Sequence, residues 1–257
     1  MGRGASAERV RRGASRALVE RLGGHPAARW GIDLDREEGR RAWLAAALLL
    51  AGRGGEARAD AALAALAGVG GSDLGDSAHV PLAARARGAC HAALAHADPA
   101  GVCRALEAAR IADAEAVAAR LVRAGRALAD RHAGSLDALA RGALDLEELA
   151  TRIARLAPGF GAATIARFLR PLRAVWPAAR EVPLAPAARA AALDLGWLAE
   201  GEDEDGEPAA LRAALAGDPD APAFANVEAA LERLGTAACL RGRTERCPLA
   251  DACPRRS

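Results

Sequence analysis

Lysine and tyrosine are absent from this sequence, and aromatic residues make up only 3% of it. Alanine, leucine and arginine dominate instead and β-branched residues are sparse, a composition that favours helix nearly throughout. Arginine in place of every lysine is also what a GC-rich coding sequence produces, so its abundance is no functional signal in itself. Charge imbalance is missing too. Thirty-five basic residues against 33 acidic ones leave a net charge of +2, so the strongly basic signature of a general nucleic-acid coat is excluded and any positive surface must be local.

No long hydrophobic run occurs either. The longest, Ala42–Ala51, fits a buried core helix and is too short to span a bilayer. Met1-Gly2-Arg3-Gly4 leads straight into arginine-rich amphipathic sequence with no apolar signal region, so export is not expected. Five cysteines, odd in number and unevenly spaced, do not make a secreted disulfide framework. These absences place the protein in the cytoplasm, away from the membrane. At 257 residues the chain is long enough for two modest cores, and the sequence reads as all-α with two helical lobes.

Residues 7 to 22 form an amphipathic helix closed by Gly23-Gly24, and a second helix over 35 to 51 contains the buried run and stops at Gly52-Arg53-Gly54-Gly55. Gly68 to Ser77 is a glycine-rich connection. Cys90, His91 and His96 lack the spacing of metal ligands, and Cys103 reads as a small buried hydrophobe. A long helix over 117 to 131 ends near His132 and Gly134, where a cationic histidine would suit the helix dipole. The acidic cluster of Glu200, Glu202, Asp203, Glu204, Asp205 and Glu207 reads as a solvated loop.

Between two helical patterns stands Leu156-Ala157-Pro158-Gly159-Phe160-Gly161-Ala162-Ala163-Thr164. Asp145 and Glu148 make a capping-box-like start to the helix before it, and Ile165, Phe168, Leu169 and Leu172 trace the helix after it, shortened at Pro171. Two glycines one residue apart allow backbone conformations in which successive amides point outward, as an anion-binding turn requires. An ordinary helix–helix turn uses the same residues, so the stretch alone leaves both readings open. Helix resumes at Ala187–Trp197 after Val182-Pro183-Leu184-Ala185-Pro186, and Val227–Leu234 leads into Cys239.

Together this hairpin, Leu234-Gly235-Thr236-Ala237-Ala238-Cys239, and Cys247-Pro248-Leu249-Ala250-Asp251-Ala252-Cys253 resemble the endonuclease III superfamily of helix-hairpin-helix DNA glycosylases. The resemblance covers most of the chain weakly, with Gly68 to Ala95 as a local elaboration. It implies a six-helix barrel lobe carrying the helix-hairpin-helix over residues 31–176. It also implies a second lobe from residues 1–30 and 177–257 with an iron-sulfur-type loop. Double-stranded DNA would be the partner of a nucleoid-associated monomer, held by Pro158, Gly159, Phe160, Gly161, Ala162, Ala163 and Thr164. Members of that family flip out a damaged base and cleave its glycosidic bond, using an Asp and, in bifunctional members, a hairpin Lys.

The sequence departs from the family at those positions. Ala163 stands where the Lys falls, so no imine can form there, and Ala185 stands where the catalytic Asp falls. Gly52 takes the place of the residue that fills the hole left by the flipped base. Asp194 and Glu181 are the nearest substitute acids, and neither matches the motif position. The family's 4Fe-4S cluster needs four cysteine thiolates; Cys239, Cys247 and Cys253 supply three, with Glu245 or His25 as other candidate donors. The loop therefore reads as a cluster site, a site for another metal such as zinc, or a metal-free relic. Arg241, Arg243, Arg246, Arg255 and Arg256 around it form the most basic local patch. Three functions follow from the resemblance: a DNA-binding protein whose base-excision chemistry has decayed, a monofunctional glycosylase with a displaced acid, and an interaction module without DNA binding. The two alanines favour the first.

Overall fold

The computed structural model describes residues 13–52, 55–67, 69, 91–201, 203, 205–243, 247 and 249, with the side chains of 91–93 excepted. Among them every regular element is a helix: α1 (Ala14–Leu22), α2 (Pro26–Arg29), α3 (Glu37–Leu50), α4 (Gly55–Ala67), α5 (His91–His96), α6 (Pro99–Ala108), α7 (Ala114–His132), α8 (Leu136–Ala140), α9 (Leu146–Ala154), α10 (Ala162–Leu169), α11 (Pro186–Asp194), α12 (Glu207–Ala216) and α13 (Phe224–Ala237). No described helix is long and apolar enough to cross a membrane. The chain divides into a central unit, Ala27–Arg180, and a terminal unit made of Met1–Pro26 with Glu181–Ser257. The glycine-rich connection after Ala67, the start of the first helix, Arg53 and Cys90 lie outside the described residues, apart from Val69.

In the central unit α3 is the axis. Ala42 to Leu49 are all buried, because α4, α5, α7, α8 and α10 surround the helix on every side. From Ala42 onward the enclosed part of the helix has no polar face, which is why its sequence there is an unbroken apolar run. Trp43 satisfies its indole N–H on the Phe168 carbonyl at 3.0 Å, and the Phe168 ring meets Trp176 edge-on with centroids 5.8 Å apart. Asp137 at the start of α8 accepts hydrogen bonds from Trp176 Nε1 (2.9 Å) and from Arg40 Nη2 (2.5 Å). Arg40 also donates to the Leu34 carbonyl at 2.8 Å and is buried, so this small polar network ties α3, α8 and the segment after α10 together.

The terminal unit is built on the pairing of α11 with α13, joined by α1. The inner face of α11 consists of Ala187, Ala188, Ala191 and Ala192, all buried, and small side chains let the two helices approach closely. Gly235 marks the nearest point: a Cβ there would fall 1.8 Å from the Ala187 carbonyl oxygen. Arg233 donates to the carbonyls of Leu22, Gly23 and Gly24, closing the C-terminus of α1 as the glycine pair predicts. Glu207, expected in a solvated loop, is buried at the start of α12 and paired with Arg189 of α11. A single i-to-i+18 contact between helices leaves no local pattern that would separate it from its acidic neighbours.

Candidate nucleic-acid interface

The hairpin begins with the capping expected of its first helix. The Asp145 carboxylate accepts from the Glu148 amide at 2.8 Å, and Glu148 reaches back to the Leu144 amide at 2.9 Å. The Leu144 amide and then Arg152 hold the Glu148 carboxyl below its ordinary range. Helix α9 ends at Ala154, before Pro158, and α10 starts at Ala162 with Gly161 as its extended N-cap. Pro171 falls in a 3-10 turn, Arg170–Leu172, which ends the second helix as its sequence predicts.

The structure divides the seven candidate residues into two groups. Phe160 and Thr164 are buried and anchor the turn from below, whereas Pro158, Gly159, Gly161, Ala162 and Ala163 are exposed. Gly159 has φ +88°, a left-handed conformation for which glycine is needed. The Gly161 amide, expected to face a ligand, instead donates to the Gly159 carbonyl at 3.0 Å. The outward donors are the amides of Gly159, Ala162 and Ala163, which have no acceptor among the described residues. The last two open α10, where the partial positive charge of the helix terminus adds to them.

One residue that the sequence reading did not single out completes this surface. The Arg120 guanidinium, from the middle of α7, lies against Gly159: a methyl group on that glycine would come within 3.0 Å of Nε and 3.2 Å of Cζ. Arg120 is half-buried and has no hydrogen bond or ion pair among the described residues. An uncompensated guanidinium against Gly159, on a turn with three free amides, suits a phosphate oxygen. Nothing in the sequence distinguishes Arg120 from the other arginines of α7, since only the fold brings it to the turn.

The positions carrying chemistry in the resembled family hold none here. Ala163 is exposed on the first turn of α10 and presents only a methyl group. Ala185 is 2% exposed, at the N-cap of α11 among apolar neighbours that include Leu184 and Ala188. Asp194 ends α11, nine residues on, which places its backbone roughly 13 Å along the helix axis from Ala185. Glu181 is exposed on the preceding turn. Neither acid takes over the position that Ala185 occupies. Gly52 is exposed just past α3.

In the terminal unit, Cys239 opens a 3-10 turn, Cys239–Arg241, and both Cys239 and Cys247 pack, partly buried, against the unit's apolar core. Arg241 and Arg243 are exposed; Glu245, Arg246, Cys253, Arg255 and Arg256 lie outside the described residues. Among the described residues no three His, Cys, Asp or Glu side chains come together as metal ligands. With Cys253 outside them, the described residues bring no third thiol to Cys239 and Cys247, and the three cysteines of the loop are one short of the four thiolates of a 4Fe-4S cluster. On the metal-free reading of the loop, protein purified under anaerobic conditions is expected to be colourless. Iron analysis and the visible spectrum check this, and stoichiometric iron with visible charge-transfer absorption would be the contrary result.

Two further expectations are corrected. Cys103 is half-exposed rather than buried, with its thiol 3.7 Å from Glu107 Oε1, because it lies one residue off the buried stripe of Val102 and Leu106. His132 sits at the C-terminus of α7 as read, but burial, then the charges of Arg131 and Arg152, disfavour its cationic form. No protein-family profile matches the chain, and no curated protein matches its sequence.

Proposed function

We propose that this chain binds double-stranded DNA through the Pro158–Thr164 hairpin, as a DNA-binding protein of the endonuclease III-like base-excision-repair type that lacks glycosylase and lyase activity. On this reading the central unit is the six-helix barrel lobe of that superfamily, the protein acts as a monomer, and its place is on the nucleoid. The observation that carries the proposal is the cluster of free amides at Gly159, Ala162 and Ala163 beside the unpaired Arg120 guanidinium. Backbone amides and one arginine contact phosphate without reading bases, so the binding is expected to be independent of sequence. Alanine at both chemical positions supports the second half of the proposal: a methyl group neither attacks a sugar nor stabilises a sugar cation.

Gly161→Asp tests the interface without disturbing the fold. Gly161 has ordinary extended angles and nothing within 4 Å of where a Cβ would stand. As an N-cap, aspartate accepts from the amides that open α10 and adds a negative charge beside them. The expected outcome is thermal stability equal to or slightly above that of the native protein, with duplex affinity lower by about tenfold or more. Fluorescence anisotropy with a labelled duplex measures the second quantity. Unchanged affinity in a folded Gly161→Asp protein would place DNA elsewhere or nowhere. In the same samples a panel of damaged duplexes should show no base release under single-turnover conditions; release abolished by Asp194→Asn would establish a displaced acid instead.

A further inference from the structure

A second cationic feature of the central unit is separate from the hairpin amides. Where α7 and α9 end side by side, a cleft of about 320 Å³ opens, lined by Arg131, His132, Arg152, Arg155 and Leu156. No carboxylate lines it. Arginines at helix C-termini often serve only to cap carbonyls, and that role accounts for part of this group. Arg152 donates to the carbonyls of Leu139, Arg141 and Gly142 and is paired with Glu148 at 2.6 Å. Arg131 uses one N–H on the Arg155 carbonyl at 3.2 Å. The C-terminus of α7 is otherwise closed by its own backbone, with the Gly134 amide on the Leu128 carbonyl.

Capping leaves a remainder. The Arg155 guanidinium is exposed and has no partner among the described residues, and Arg131, also exposed, has no acidic partner there. Two arginines lining one cleft, neither with an acidic partner among the described residues, suit a tetrahedral oxyanion, whose oxygens can accept from both. His132 stands at the wall of the cleft, its protonated form disfavoured first by burial and then by Arg131 and Arg152.

We propose that this cleft is a phosphate-binding site, with Arg131 and Arg155 as its ligands and His132 at its wall. The inference does not rest on the hairpin reading. The phosphate has two sources, a free or terminal phosphate group and a phosphodiester of a bound DNA strand. The second is sterically natural because the lining ends at Leu156, two residues before Pro158, and because Arg131 follows Arg120 by eleven residues, about three turns on the same face of α7.

The test uses the full-length protein and the ring resonances of His132. Inorganic phosphate is titrated against chloride at matched ionic strength, and a DNA duplex is titrated in parallel. A saturable His132 shift specific to phosphate, weakened about tenfold or more in affinity by Arg131→Gln or Arg155→Gln and unchanged by Gly161→Asp, is the expected result. If the duplex also moves His132 in an Arg155-dependent way, the source is the DNA backbone; if phosphate alone does so, the site takes a free phosphate group. Both substituted arginines are exposed, and Arg155→Lys, which keeps the charge, should retain part of the binding if either glutamine variant misfolds. No His132 shift beyond the chloride control with either probe would overturn the proposal, as would a shift that persists unaltered in Arg155→Gln.

Discussion

Replacing Gly235 with alanine is expected to destabilise the terminal unit by about 3 kcal/mol or more, in urea unfolding followed by circular dichroism. The added methyl would stand 1.8 Å from the Ala187 carbonyl oxygen and 2.5 Å from its carbon, both backbone atoms that cannot rotate away. Relief requires α11 and α13 to separate by roughly an ångström and a half, the difference from an ordinary contact distance. That separation would open the apolar core that Ala188, Ala191 and Ala192 share with Val227, Ala230, Leu231 and Leu234. Gly161→Ala is the matched control, since nothing lies within 4 Å of a Cβ there, and it should cost only a small fraction of this. A loss in Gly235→Ala no greater than in the control would contradict the close approach.

Asp137→Ala is the second large expected effect, also about 3 kcal/mol, in the central unit. Asp137 is the counter-ion of Arg40, whose side chain is only 6% exposed, and it is the acceptor for the Trp176 indole. Removing it leaves a buried guanidinium with one charged partner lost and an indole N–H unpaired. The aspartate itself is 34% exposed, so water can reach the gap and the cost falls at the low end for a buried pair. Asp137→Asn keeps an acceptor for one of the two donors while removing the charge, and about half the loss is expected. Equal stability of native and Asp137→Ala proteins in thermal unfolding would show that Arg40 finds full compensation elsewhere.

The elements most legible in the sequence were those whose causes are local. The apolar run at Ala42–Ala51 gave an enclosed helix, Asp145 and Glu148 gave a capped helix start, and Pro171 ended α10. The terminal helix stops at Gly23 and beside Gly134 follow from the same kind of signal. Features that depend on distant contacts were not legible. Glu207 is drawn out of an acidic run only because Arg189 stands across from it, and Arg120 reaches Gly159 only through the packing of α7 along the turn. The Gly161 amide turns inward to the Gly159 carbonyl across the buried Phe160, a detail that a Pro-Gly-x-Gly pattern does not specify. Leu234-Gly235 illustrates a subtler limit: the pair carries part of the family resemblance, while its physical reason here is the close approach of two helices.

At the candidate interface the same division holds. The sequence located a helix–turn–helix at Pro158–Thr164, and on the family resemblance Ala163 and Ala185 stand where base excision would need side chains. What geometry adds is which amides are free and which cation accompanies them. It also shows that the Ala185 position is enclosed by apolar side chains, with Asp194 at the far end of the helix that follows.

On the proposed function, a small set of phosphate contacts and no base chemistry accounts for the binding of DNA. The most direct measurement is the affinity of the native protein for an undamaged duplex as a function of salt concentration. If the hairpin with Arg120 engages about two phosphates, and up to about two more enter the Arg131–Arg155 cleft when its phosphate comes from DNA, the logarithm of the association constant should fall with the logarithm of salt at a slope between about −1.8 and −3.6. Absence of duplex binding at low salt, or binding whose slope is near zero, would contradict the account.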